Sequence, residues 1–256
     1  MPQSHPDLCC CSACLDEPAR STSDPESPDP PGQGTATMPV YSSDQVINAL
    51  RTSDGAWASI AWAGDQVSYS IGTGALSPGQ PEYSTEYSGY VVMSQAMEAA
   101  AAEAFELWDE LIAIDLVENT DNPAADIVFN YSSATGNSTY AARSFGGSSG
   151  GRADYGIIEA NLWFADSWWT HDEDSDLYQG GYGVSTYLHE IGHALGISHP
   201  GNYNGSASFD GDATHFQDTR AYTVMSYFDA GDNGSGTDHI GTGGRSYGAV
   251  PLLHRF

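Results

Sequence analysis

The chain has 256 residues, of which 40% are hydrophobic and 11% aromatic, a composition typical of a folded globular protein. It carries 34 acidic residues and seven basic ones, all of them arginine, so its formal net charge is −27 at pH 7. This acidity argues against partners with anionic surfaces, namely nucleic acid and phospholipid membranes. No apolar run approaches the length of a membrane-spanning helix.

The first 37 residues differ from the rest of the chain. They contain all four cysteines and seven of the 13 prolines, and they lack Trp, Tyr, Phe, Ile and Val. Such a segment cannot bury enough apolar surface to offset the entropy of ordering the chain. We therefore predict a disordered tail or a propeptide over 1–37 and one folded domain over 38–256.

The folded part alternates between strand and helix patterns. Val67–Ile71 (VSYSI) alternates apolar and polar residues, which predicts a strand. Apolar residues spaced by three and four predict a long helix over 94–112. Two further strands are predicted at Asp126–Tyr131 and Ile157–Phe164.

A second helix is predicted over 184–195, ended by Gly196, which suits a left-handed C-terminal cap. The residues after it are rich in Gly, Asn, Asp and Ser and show little periodicity. The fold class predicted from these patterns is α+β.

The second helix carries histidines at a spacing that suits a metal ion. His189 and His193 are four residues apart and share one helix face, while Glu190 lies beside them. A sharp turn at Gly196 can bring His199 back as a third ligand. Three imidazoles with an open fourth position favour a catalytic zinc site over a structural one.

The spacing H-E-x-x-H-x-x-G-x-x-H resembles that of the metzincin metalloproteases. Downstream, Met225 and Tyr227 lie in a Met-Ser-Tyr sequence typical of the methionine turn of that group. The phrase HEIGHALGISHPGNYNG, residues 189–205, is similar to the serralysins, a family of secreted bacterial proteases. The segment Ala160-Asn161-Leu162-Trp163-Phe164 is similar to that family as well.

The resemblance implies a metzincin fold: a twisted, mixed five-stranded sheet, two long helices and an irregular C-terminal subdomain. It also implies roles for individual residues. Glu190 is the general base, Met225 forms the hydrophobic floor under the metal, and Tyr227 is both an extra ligand and a hydrogen-bond donor to the oxyanion. The implied zinc ligands are His189, His193, His199 and Tyr227.

The resemblance further implies that an edge strand pairs with the extended substrate, and we assign that strand to Ala160, Asn161, Leu162 and Trp163. Backbone pairing reads no side chain, so it favours broad specificity. The acidic loop over 172–176 leaves calcium binding open, with a solvated charge cluster as the alternative. The cysteines leave two interpretations open, a thiol that blocks the zinc and a reactive or intermolecular thiol cluster: Cys9, Cys10, Cys11 and Cys14.

Together these observations predict a zinc-dependent endopeptidase that acts on protein or peptide substrates. We expect a monomer without nucleic-acid or membrane partners, secreted as the resembling family is, although neither an N-terminal signal peptide nor a C-terminal export signal is visible. Serralysins continue into a calcium-binding β-roll, so we expect the domain to be truncated at its C-terminus. The alternative function is a non-catalytic remnant that binds zinc and peptide.

Overall fold

A computed structural model describes residues 38–52, 61–62, 64–75, 84–120, 125–135, 139–146, 156–166 and 177–234, together with Tyr247 and Pro251. Two sequence predictions lie outside the described residues. They are the tail over 1–37 with its four cysteines, and the acidic loop over 172–176 with its calcium alternative.

Six strands, five α-helices and a short 3-10 helix at Ser133–Thr135 make up the described secondary structure. The strands are β1 (Gln66–Ile71), β2 (Tyr90–Val91), β3 (Asp115–Glu118), β4 (Ile127–Ser132), β5 (Tyr140–Gly146) and β6 (Gly156–Ala165). The helices are α1 (Ser43–Thr52), α2 (Ser84–Ser88), α3 (Gln95–Asp109), α4 (Tyr182–Ala194) and α5 (Phe209–Asp212). The strands and the two long helices predicted from the sequence correspond to β1, β4, β6, α3 and α4, with ends shifted by one to three residues.

The strands form one mixed sheet in the order β3-β1-β4-β6-β5. Neighbours along this path are parallel except β5, which pairs antiparallel with β6. The two-residue strand β2 adds an antiparallel pair to β4 beside the path. The mixed five-stranded sheet of the predicted α+β metzincin fold is thereby confirmed.

The prediction of an edge strand at Ala160, Asn161, Leu162 and Trp163 is wrong. These residues belong to β6, which pairs with β4 on one side and with β5 on the other. Asn161, for example, lies opposite Val128 in β4 and Ala142 in β5. Because both backbone edges are used within the sheet, β6 has none left for a substrate, and β5 is the outer strand.

Helix α3 covers the sheet and connects it to the helix that bears the metal motif. Ser94 caps its first turn by accepting a hydrogen bond from the amide of Met97. The buried face of the helix includes Phe105, which stacks on Tyr69 of β1, and Trp108. The indole of Trp108 donates to the carbonyl of Leu188 in α4 at 2.9 Å, so α4 is fixed to α3 and through it to the sheet.

Beyond α4 the chain forms turns, and α5 is the single helix among the described residues after 196. This irregular region agrees with the prediction from composition. Within the described parts of the chain, no helix combines the length and the apolar character that crossing a membrane requires.

Candidate metal centre

The end of α4 is set by a backbone motif that the sequence encodes at Gly196. Its φ of 96° lies in the left-handed region, which glycine adopts without steric cost. The amide of Gly196 donates to the carbonyl of His193 at 3.0 Å, and the amide of Ile197 donates to the carbonyl of Gly192 at 2.9 Å. This pair of bonds is a Schellman cap, and it turns the chain back toward the helix face that carries the histidines.

The reversed chain brings a third histidine to the other two. The amide of Ser198 donates to the carbonyl of Leu50 in α1 at 2.7 Å, which anchors the residue before His199. The Nε2 atoms of His189, His193 and His199 approach one another to 3.0–3.1 Å. Among the described residues, these three are the one group of His, Cys, Asp or Glu side chains arranged to hold a metal ion.

The hydrogen bonds of the three Nδ1 atoms determine which nitrogen of each imidazole carries the proton. Each Nδ1 lies 2.8–2.9 Å from a backbone carbonyl oxygen, which can only accept a hydrogen bond. Nδ1 therefore carries the ring proton, and each Nε2 presents a lone pair to the same point. The three carbonyls belong to Val224, Ile197 and Tyr203.

This donor set fits a zinc ion. Three lone pairs that converge on one point cannot hydrogen-bond to one another, and a cation satisfies them all. Zinc binds imidazole nitrogen at about 2.0–2.1 Å, which in a tetrahedral site separates the donors by about 3.3–3.4 Å. The observed separations of 3.0–3.1 Å are within a few tenths of an ångström of that value. The carbonyl partners on Nδ1 are the outer hydrogen bonds that orient histidine ligands in metal sites.

Burial keeps the imidazoles of His189 and His193 neutral, as ligands must be. Loss of solvent lowers the pKa of His189 to about 3, with a further contribution from the adjacent His199. The pKa of His193 also lies well below its ordinary value, first through burial and then through the two neighbouring imidazoles. Protonation therefore does not compete with a metal ion for these two rings near neutral pH.

Glu190 lies beside the histidines and is buried, with 7% of its surface exposed. Burial raises the pKa of its carboxyl group to about 8, although a hydrogen bond from the backbone amide of Ala141 acts in the opposite direction. A divalent cation next to the carboxylate favours its ionised form and so lowers that pKa. Ala141 belongs to β5, so the outer strand of the sheet borders the glutamate.

Met225 packs against α4 at Gly192. A Cβ atom added at Gly192 would approach the Met225 sulfur to 2.6 Å, so the glycine permits this close approach of the helix to the turn. Met225 is fully buried, and its neighbour Val224 supplies the carbonyl that holds His189. The structure thus places the predicted methionine turn against the metal motif.

Tyr227 lies beside two of the three histidines and lines the cleft. Its ring centre is 4.5 Å from that of His199 and 5.7 Å from that of His189. Burial raises the pKa of its hydroxyl, while a hydrogen bond from the backbone amide of Gly205 lowers it. The hydroxyl is therefore held by Gly205 in this structure, and its role as a metal ligand stays a prediction.

A cleft of about 660 Å³ opens beside His189 and Glu190, which both line it. It is lined by residues of α4, of the turn after the third histidine and of the methionine turn, with Thr139 beside β5. Sequence reasoning missed Arg220, Tyr182 and Thr139 among the lining residues. Their positions in the sequence carry no motif, because distant segments meet at the cleft only in the folded chain.

Comparison with known proteins gives the same family as the motifs. The Matrixin family model matches residues 80–207, half of the chain. A serralysin from Photorhabdus laumondii is 33% identical over 179 residues, which cover 68% of this chain and 34% of the relative. The metalloprotease AprA from Pseudomonas entomophila is 30% identical over 229 residues, 87% of this chain and 44% of the relative.

A shorter match joins this chain to serralysin C from Dickeya chrysanthemi, at 37% identity over 109 residues, 40% of this chain and 21% of the relative. The matches to these relatives therefore span between about a fifth and less than half of their lengths. The resemblance to serralysin-like metzincins is confirmed.

Proposed function

The chain belongs to the matrixin family of metallopeptidases, and from that premise we propose that it is a zinc-dependent endopeptidase acting on proteins and peptides. The observation that carries the proposal is the convergence of three imidazole nitrogens on one point with a buried glutamate beside them. A zinc ion held there would lower the pKa of a bound water and polarise the scissile carbonyl.

In this proposal, Glu190 is the general base. It accepts a proton from the attacking water and delivers it to the leaving amine, which is the work that a positioned carboxylate does in peptide hydrolysis. The amide of Ala141 donates to the carboxylate and orients it. Its burial excludes bulk water, which strengthens each of its interactions.

Tyr227 is proposed to stabilise the oxyanion of the tetrahedral intermediate. A tyrosine hydroxyl is protonated near neutral pH, so it is a donor. To reach the oxyanion, the hydroxyl has to leave the amide of Gly205, and a rotation of the side chain would accomplish this. The same rotation supports the proposal that Tyr227 is an alternating metal ligand.

The substrate is proposed to pair in extended form with the outer edge of β5. The amide of Ala141 points from this edge to Glu190, so a chain lying along β5 passes next to the catalytic carboxylate. Main-chain pairing recognises any peptide, which supports broad specificity. By kinship with the serralysins, the proposed place of action is outside the cell.

Glu190→Gln tests the general base. The variant keeps the shape and hydrogen-bonding capacity of the side chain but cannot accept the proton. We expect the rate of casein hydrolysis to fall by about 100- to 10,000-fold. The variant should still bind one zinc ion per chain, as measured by atomic absorption. Glu103→Gln makes the same chemical change on the exposed side of α3 and should leave the rate unaltered.

Two results would count against the proposal. Full activity in Glu190→Gln would show that the glutamate is not the base. Zinc-loaded wild type that hydrolyses no casein would favour the alternative function, a domain that binds zinc and peptide without cleaving it.

A further inference from the structure

We infer that Arg220 forms a subsite that selects a carboxylate on the substrate, within about one side chain's length of the scissile bond. The inference rests on the proposed function for its meaning, but it concerns binding and can be tested without hydrolysis. The proposed subsite gives the cleft a preference for aspartate or glutamate at one substrate position.

The position of Arg220 is the first observation. It lines the main cleft together with His189 and Glu190. It also lines an adjoining cavity of about 310 Å³, and Tyr182 and Tyr227 are shared between the two in the same way. Arg220 therefore stands in the wall where the two cavities meet, within reach of a side chain in either one.

Arg220 is held in place before any ligand arrives. Its Nη1 donates to the carboxylate of Asp229 at 2.9 Å, and its guanidinium lies 5.4 Å from the ring centre of Tyr247. The backbone amide of Arg220 donates to the carbonyl of Phe228, which closes the loop between them. A fixed guanidinium loses little conformational freedom when a carboxylate binds, and it offers five N–H donors, of which Asp229 uses one.

Burial distinguishes Arg220 from its partner. The side chain of Arg220 is 20% exposed, whereas that of Asp229 is 66% exposed. An ion pair with so exposed a partner contributes little, so Asp229 positions the guanidinium without cancelling its attraction for a second carboxylate. A substrate carboxylate placed against the buried part of the guanidinium is better shielded from water and gains more.

The charge of the surroundings makes this subsite selective. The chain has seven arginines, no lysine and a net charge of −27, so its average surface repels acidic peptides. The main cleft is otherwise lined by hydroxyl, amide and aromatic groups, with Glu190 as its one carboxylate among the described lining residues. Away from a bound zinc ion, an acidic side chain is therefore favoured only where it reaches Arg220.

The opposite reading, in which Asp229 and Asp232 bind a basic side chain, is weaker. Asp229 already accepts from Arg220, and the carboxylate of Asp232 accepts from the backbone amide of Asp229 at 2.9 Å. Both aspartates are exposed at the rim, where a pair with an incoming lysine is screened by solvent. The experiment below distinguishes the two readings.

The test uses zinc-loaded Glu190→Gln, so that peptides bind without being cleaved. The ligands are fluorescent peptides with capped ends and one constant central sequence. Asp, Asn or Lys is placed at each flanking position in turn, and the dissociation constant of each peptide is measured at low salt. We expect one position at which Asp binds about 10- to 100-fold tighter than Asn. Placing Arg220→Ala in the same background should bring that ratio to about one.

Three further variants sharpen the result. Arg220→Lys keeps the charge but loses the planar guanidinium with its paired N–H donors. The ratio of the Asn and Asp dissociation constants should therefore be intermediate. Asp229→Asn removes the competing carboxylate and should raise the ratio. Arg51→Ala makes the same change in net charge on α1, at a residue that lines neither cavity, and should leave the ratio unaltered.

The carboxylate could come from an acidic side chain or from the C-terminus of a peptide. A peptide that ends at the selected position, with Asn as its last residue and a free C-terminus, distinguishes these two sources. Tight binding of that peptide shows that a terminal carboxylate also serves. The inference is overturned if no position prefers Asp over Asn, if the preference survives Arg220→Ala, or if Lys is preferred and Asp229→Asn abolishes that preference. Failure of casein hydrolysis by the wild type affects the proposed function alone, because these constants are measured without turnover.

Discussion

Residues 64–166 and residues 196–234, here the sheet region and the C-terminal region, border the same cleft but differ in what fills their interiors. The sheet region is packed with apolar and aromatic side chains. Phe129 lies at its centre, with ring centres at 4.3 Å for Phe164, 4.9 Å for Tyr187 of α4 and 6.3 Å for Phe105. Its backbone groups are satisfied by strand pairing.

The C-terminal region has a polar interior instead. Nine of the 15 buried polar or charged side chains of the described residues lie there, and they include His199, Asp218 and Ser226. Its aromatic cluster is small and consists of Tyr203, Phe209 and Phe228. Turn hydrogen bonds take the place of a strand ladder, as between Tyr222 and Thr219.

The difference shows why two kinds of interaction meet at the metal centre. His189 and His193 are supplied by α4, which is fixed to the sheet region through Trp108. His199 and the carbonyl of Val224 come from the C-terminal region. A metal ion therefore cross-links an apolar, strand-paired part of the molecule to a part that has little regular structure of its own.

Removing the metal is the strongest test of this comparison. A ligand at 1,000 times its dissociation constant stabilises the state that binds it by about 4 kcal/mol. We expect chelation to accelerate amide hydrogen exchange by about 100- to 1,000-fold in the turns around His199 and Tyr227. The amides of β1 and β4 should change much less, because their protection comes from the strand ladder.

The exchange measurement is made by mass spectrometry on zinc-loaded, chelated and zinc-restored protein. Restoring zinc controls for irreversible damage and should return the protection. An equal acceleration in both regions would contradict the comparison, since it would mean that the metal stabilises one cooperative unit.

Gly192→Ala tests the contact between the two regions directly. A Cβ atom there would lie 2.6 Å from the Met225 sulfur and 3.0 Å from Cζ2 of Trp108, so one of the two has to move. We expect a loss of about 2 kcal/mol in the free energy of unfolding, measured by urea titration. Gly231→Ala is the matched control, because a Cβ atom at Gly231 meets nothing within 4 Å. Equal stability of the two variants would show that the regions are packed less closely than described.

The metal motif could be predicted from the sequence because its parts are local. The helical spacing of His189 and His193, and the glycine that ends the helix, fix most of the geometry within 11 residues. The strands β1, β4 and β6 and the helix α3 could be predicted for a similar reason, since each shows the periodicity of its own buried face.

Other features depend on contacts that no local pattern reveals. Both β5 and β6 pack against α4, and β6 has the stronger apolar pattern, so the sequence indicates the wrong strand as the edge. An apolar pattern reports burial of side chains, whereas an edge is defined by which backbone groups lack a neighbour. Arg220 could not be predicted for the same reason, because its place in the cleft wall depends on Asp229 and Tyr247 being brought beside it.

Helix α1 was not predicted, although the spacing of its buried residues Val46 and Leu50 was an available signal.

The buried carboxyl group of Asp218 offers a smaller test, confined to the C-terminal region. Burial raises its pKa to about 6, although Tyr203 donates a hydrogen bond to it at 2.7 Å. In the unfolded chain the pKa is about 3.9. Between these values the folded protein holds a proton that the unfolded chain has released. The stability that protonated Asp218 contributes to the folded protein is therefore complete below pH 4 and is lost as the pH rises through 6.

Asp218→Asn removes this titration while keeping an acceptor for Tyr203. Relative to the wild type, the variant should gain about 1.4 kcal/mol between pH 5 and pH 7.5, measured by urea unfolding of the zinc-saturated proteins. Other carboxylates titrate in both proteins, so the difference between them isolates Asp218. Asp210→Asn, at an exposed position of the same region, should show no such gain. A difference that does not depend on pH would mean that Asp218 is solvated, and that the polar interior of the C-terminal region is open to water where the sheet region is closed.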